Sequence, residues 1–183
     1  MPSVDRNIHI PIGSGSLYFS EYSGTIPADT TIETDANRLG YIEGGAELVY
    51  TPTKTVLKDD YGVVQRTVLT SEAAQMNAEL IAWSKHDMAV FASSATVDET
   101  TSSGHRIIKI GGIENDDDKS YCFRFVHPDP TYGDVRVTIV GKQNSGFTLA
   151  FRPTEAGKMA LAIVAEPHDS DGTLITIDEE LPA

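Results

Sequence analysis

Apolar and polar residues alternate along much of this chain, and that alternation predicts strands. Ala46, Leu48 and Tyr50 point one way, and Glu47, Val49, Thr51 and Thr53 point the other. The run continues to Leu57, meets a turn at Lys58-Asp59-Asp60-Tyr61-Gly62 and returns from Val63 to Leu69. Residues 44–69 therefore read as a hairpin, with a first arm well beyond the usual strand length of about 5 to 6 residues. A one-residue slip would exchange the two faces, so register matters. Open strand edges recruit other strands, and we expect this ribbon to lie against copies of itself.

The next stretch, Glu72 to Trp83, satisfies two periods. Ala73, Met76, Leu80 and Trp83 have helical spacing, while Ala74, Met76, Ala78, Leu80 and Ala82 alternate with Gln75, Asn77 and Glu79. Propensity favours the helix. The clean split into an apolar and a polar face favours the strand, and the strand is the expectation adopted. Ser84 followed by Asp87 has capping-box spacing. With Met88, Val90, Phe91 and Ala92 behind it, it predicts one helix over residues 85–93.

Residues 1–16 form an arm: Ile8, Ile10 and Ile12 alternate with Asn7, His9 and Pro11, and Gly13-Ser14-Gly15-Ser16 is a flexible joint. Leu17 to Tyr22 is strand-like. Residues 23–43 are polar and unpatterned apart from Ile26, Ile32 and Leu39. Loops this long are usually functional or disordered, and the apolar anchors predict a loop that orders on a partner. Thr96 to Ser103 reads as exposed strand or loop. From His105 onward strands follow in series: His105–Ile110, Tyr121–His127, Val135–Val140, a face of Phe147, Leu149 and Phe151, then Lys158–Glu166 and Thr173–Ile177. Lys158–Glu166 is small and apolar throughout, so burial on both sides is expected; Thr173–Ile177 is expected to close the core. Residues 17–183 should thus form a single mainly β domain, an antiparallel β-sandwich or barrel with one flanking α-helix.

A chain of 183 residues can bury one sizeable core. Its 14 Lys and Arg against 27 Asp and Glu give a net charge of −13, with no basic cluster. Tight nucleic-acid binding, which needs cations to replace phosphate counterions, is disfavoured; nucleic acid as something to be repelled is not. The single cysteine, Cys122, cannot form an intrachain disulfide and is expected to be a small buried hydrophobe. No apolar run approaches the ~20 residues that span a bilayer. The polar, acidic start is unlike a secretory leader, so synthesis in the cytoplasm without a membrane anchor is expected.

Chemistry-bearing patterns are sparse. His9, His86, His105, His127 and His168 lack the helical zinc spacing. Asp169-Ser170-Asp171-Gly172 resembles the start of a calcium loop, but Leu174 stands where that loop needs its glycine; an Asp/Gly turn is the simpler reading. Asn115-Asp116-Asp117-Asp118 reads as a solvated turn. No Gly-x-Ser-x-Gly elbow occurs and Cys122 has no evident base, so no enzyme, cofactor or metal is expected.

Gly44 to Pro52, Val56 to Asp60, Gly62, Thr70-Ser71-Glu72 and Leu80-Ile81-Ala82-Trp83 together resemble the major tail tube proteins of long-tailed (siphovirus-type) bacteriophages. Ile107 to Gly112, Tyr121 to His127 and Asp171-Gly172-Thr173-Leu174 extend the likeness over residues 15–180. It rests on the order and spacing of weak motifs. The resemblance implies a tail-tube β-sandwich assembled six to a ring, with strands of neighbouring subunits joined into a barrel around a pore. Rings stack into the virion tail, a tape-measure protein fills the tube, tail-tip and terminator proteins bound it, and DNA passes without specific binding. Six copies at −13 each would carry −78 per ring, and an anionic lumen would leave phosphate nothing to adhere to. The lumen-facing positions are then Glu47, Gln75, Asn77 and Glu79. Contacts between subunits or rings are expected at Ile26, Ile32 and Leu39 and at the tip, Lys58, Asp59, Asp60 and Tyr61. The tube of a contractile tail or of a type VI secretion-like machine would share this fold. A carbohydrate-binding sandwich is the more distant alternative, weakened by a single tryptophan, Trp83.

Overall fold

The long alternating runs form strands whose lengths follow the pattern, and one antiparallel sheet gathers most of them. The computed structural model describes residues 13–82, 84, 87–100, 104–144, 146–149, 154 and 157–180. Its elements are β1 (Ser16–Glu21), a single helical turn α1 (Asp29–Ile32), β2 (Tyr41–Lys58), β3 (Gln65–Ala82), α2 (Asp87–Phe91), β4 (Ala95–Asp98), β5 (Ile107–Ile110), β6 (Tyr121–His127), β7 (Val135–Gln143), β8 (Met159–Ala165) and β9 (Thr176–Glu179). The sheet runs β1-β6-β7-β8-β3-β2, with β9 also on β7, and β4 pairs with β5 in a separate ribbon. The fold is mainly β and antiparallel, as the alternation predicts.

The sheet doubles back because β7 changes partners along its length. Val135–Thr138 pair with β9, and Gly141–Gln143 pair with β8. At the change, a Cβ on Gly141 would lie 1.9 Å from the Val164 carbonyl oxygen, so only hydrogen fits. The fold-over brings Leu17, Phe19 and Phe123 against Met76, Leu80, Leu161 and Ile163 in one core. Phe19 stacks on Phe123 at 6.4 Å between ring centroids. Helix α2 contributes Met88, Val90 and Phe91, and Phe91 meets Phe147 edge-on. The two ends of the sheet nearly meet: the Leu39 amide donates to the Leu17 carbonyl at 2.8 Å, and Tyr18 bridges to Arg38.

Three expectations need correction. Residues 23–43 do not await a partner: Ile26 and Ile32 pack on the outer face of β6 and β7, Leu39 enters the main core, and Tyr41–Glu43 begin β2. Ile32 is fully buried with Cys122 and Val140, and Leu39 is fully buried in the main core. Ion pairs hold the same segment down: Arg124 meets Asp29 and Glu33, and Arg136 meets Glu33 at 2.9 Å. Isolated apolar residues in a polar stretch thus serve the protomer's own core. Strand β8 is not buried on both sides, since Met159, Leu161 and Ile163 point inward and Ala160 is exposed. Of Thr173–Ile177, Ile175 packs half-buried against the core as expected, but the strand β9 that follows is exposed at all four residues.

The strand reading of 72–83 holds, for β3 is continuous to Ala82. The helix is shorter than residues 85–93 within the described residues. The Ser84 amide donates to the Asp87 carboxylate, the reciprocal half of a capping box. Trp83, Lys85, His86, Phe151 and the alternating part of the N-terminal arm, Asn7–Ile12, lie outside the described residues.

Candidate functional site: a polar sheet face and a projecting hairpin

Strands β2 and β3 pair along their whole length, and the register decides which side chains share a face. Leu48 sits opposite Met76 and Ala46 opposite Ala78 on the core side. Glu47 sits opposite Asn77 and Val49 opposite Gln75 on the other side. Between Glu43 and Ala46 the ladder shifts, with Gly44 and Gly45 at φ +78° and +83°, a conformation costly to residues with a Cβ. Two extra residues preserve the alternation, so Glu43 joins Glu47, opposite Glu79. Strand β8 extends the face with Ala160, Ala162 and Val164, beside Glu79, Asn77 and Gln75.

All four residues assigned to the lumen, Glu47, Gln75, Asn77 and Glu79, therefore share one solvent-facing sheet surface. They are linked in a chain. The Gln75 amide donates to Asn77, and the Asn77 amide donates to Glu47 at 3.2 Å. Glu43 and Glu79 are directly opposed, a repulsive arrangement for like charges. Lys158 relieves it, with its ammonium 2.6 Å from Glu43 and 3.4 Å from Glu79. Hydrogen bonds to Glu43 and then Glu79 raise the Lys158 pKa, so the bridge keeps its charge. Glu43 and Lys158 escape a reading by strand alternation alone. Glu43 precedes the glycine bulge, and Lys158 comes from a distant segment. A shallow trough runs between these groups, lined by residues such as Gly44, Gly45, Ala78 and Ala160.

Beyond Tyr50 and Ala74 the hairpin leaves the body. Strand β8 pairs with β3 only from Gln75 to Leu80, so the outer half of β3 has β2 alone beside it. Residues 51–67 are all exposed. The tip itself is defined: the Asp59 amide donates to the Val64 carbonyl at 3.0 Å, and the Val64 amide returns a bond to the Asp59 carboxylate at 2.9 Å. Lys58, Asp59, Asp60 and Tyr61 are exposed here, as their assigned role requires, and Tyr61 is 92% accessible. Val63 and Val64, read from the sequence as strand, stand in the turn at 82% and 68% exposure. Ile26 is half-buried against the smaller cluster. Ile32 and Leu39 have no surface to offer a neighbour.

Among the described residues no group of three or more His, Cys, Asp or Glu is placed to hold a metal ion, and no helix is long and apolar enough to cross a membrane. Burial pushes the Cys122 thiol up to about 11, against a smaller opposing pull from Arg124, so it stays protonated at neutral pH. The chain matches no family model among known protein families and no curated protein.

Proposed function

We propose that this chain is a structural subunit of a phage tail tube, whose copies form rings that stack around an anionic channel for DNA. The observation that carries the reading is the outer half of the β2–β3 hairpin. Val56, Leu57, Tyr61, Val63, Val64 and Leu69, on its strands and turn, are 46 to 92% exposed, with no layer of the described residues over Val56 to Val64. Exposed apolar ribbons with free edges are an aggregation liability unless a specific partner covers them. Copies of the same chain supply that cover without further components, and a head-to-tail contact closes into a ring.

The polar face fits the channel. Glu43, Glu47 and Glu79 outnumber Lys158 there, and the neighbouring β8 positions are small and uncharged. Such a wall repels phosphate and offers it few donors. Tape-measure, tail-tip and terminator proteins are the further partners of this reading, and the virion tail is its location. Electron microscopy of the concentrated full-length protein tests it. Rings with a central pore, alone or stacked, are expected. A species that stays monomeric at high concentration, even beside its natural tail partners, would overturn it.

A further inference from the structure

The outer arms of the hairpin, Thr53–Lys58 and Gln65–Leu69, carry Lys54, Lys58 and Arg66 and no carboxylate. The rest of the chain holds all 27 acidic side chains and only the other 11 of its 14 basic ones. The two arms are thus basic segments on an acidic body, with the carboxylates of Asp59 and Asp60 at the tip between them. Register sets Lys54 opposite Leu69 and Val56 opposite Thr67, so Lys54, Lys58, Val56 and Leu69 share one face, while Arg66 lies opposite Leu57 on the other. Among the described residues no strand pairs with the outer edge of β3 from Gln65 to Ala74, and Pro167, Gly172 and Leu174 flank it only at Leu69–Glu72. Pro52 lacks an amide donor and interrupts the outer edge of β2.

Strand β9 has the complementary properties. It pairs only with β7 among the described residues, all its residues are exposed, and Ile177 is 57% accessible. Asp178 and Glu179 lie on it and Glu180 follows. Asp29, Glu33, Asp134 and Glu180 already surround Arg136, and Asp29 and Glu33 also meet Arg124. Four carboxylates therefore stand around two cations, and Asp178 and Glu179 on β9 add two more beside them. A second acidic cluster, at Asp116–Asp118, is partly neutralised: Lys142 pairs with Asp118, and the adjacent Lys119 pairs with Glu21.

We propose that the outer arms of the hairpin dock on the β9 edge of a second copy of this chain, cation to carboxylate and strand to strand. This inference rests on the self-assembly reading and names the two surfaces it uses. Because the surfaces differ, the contact is head-to-tail and propagates from copy to copy.

The test uses the full chain. Reversing Lys54, Lys58 and Arg66 to Glu should raise the concentration for half-assembly about a hundredfold, since like charges are forced together. Adding Asp178→Lys and Glu179→Lys to the same chain should restore assembly to within about tenfold of the natural sequence. Circular dichroism verifies that each variant folds. Independently, a Thr67→Cys chain, altered on the β3 edge, mixed with an Ile177→Cys chain should give a disulfide-linked heterodimer under mild oxidation, with buried Cys122 not competing. Normal assembly of the triple reversal, or crosslinking of Thr67→Cys to Ile113→Cys in place of Ile177→Cys, would overturn the docking while leaving ring formation intact. A natural chain that never assembles overturns both.

Discussion

Strands β2 and β3 are each 18 residues long, yet their two halves occupy different surroundings. The inner half packs Met76 and Leu80 to 1% and 0% exposure beneath β1 and β6 and shares β3 with β8. The outer half leaves Leu57 at 56% and Leu69 at 46%. Both halves are rich in strand-forming residues, so propensity does not distinguish them. What differs is the third layer. Inside, the protomer supplies it; outside, among the described residues, only the 167–174 turn comes beside the strands, at Leu69–Glu72. Sequence patterning specifies a strand's two faces, and the fold then determines which faces its own chain covers.

The comparison can be broken by mutation. Leu80→Ala should destabilise the free subunit by about 2–5 kcal/mol, read from urea unfolding, whereas Leu57→Ala should stay within about 0.5 kcal/mol. Equal losses at the two sites would show that the outer half is packed after all. Ile32→Ala should behave like Leu80→Ala, costing about 2–5 kcal/mol because its side chain is fully buried. A negligible loss there would mean that residues 23–43 do not contribute to the protomer. Gly45→Val should cost about 1–3 kcal/mol through the left-handed backbone of the bulge, and it should disturb the Glu43–Lys158–Glu79 bridge in NMR titration.

The smallest effect expected is alkaline. Burial pushes the Cys122 thiol up to about 11, from an ordinary value of about 9.0. The folded value is raised, so the stability linked to it is complete below pH 9 and fades as pH climbs to about 11. Tyr121, raised to about 12 by burial and then by Asp117, adds a loss from pH 10 upward. Cys122→Ala should therefore show a shallower decline in unfolding midpoint between pH 9 and 10. A curve parallel to that of the natural chain would refute the assignment.

Much of this was legible in residue order. Alternation at Ala74–Ala82 against Gln75–Glu79 indicated a strand where propensity argued for a helix, and β3 contains it. The polar face followed from the same alternation. Ile32 and Leu39 misled because single apolar residues carry no period, and nothing local tells a core anchor from an exposed contact. Arg124 was hidden for a related reason. It alternates with Phe123 and Phe125, as a surface residue would, but α1 folds over it and its side chain is only 7% exposed. Lys158 pairs with residues more than 75 positions away, and only the three-dimensional register brings them together.

Amide hydrogen exchange on the full-length chain, compared between dilute and concentrated samples, tests the central claim most directly. The account predicts slow exchange for residues 74–80 in both samples, and for residues 53–69 fast exchange when dilute and strong protection when concentrated. Unchanged fast exchange across residues 53–69 at every concentration, or protection already complete in the dilute monomer, would contradict it.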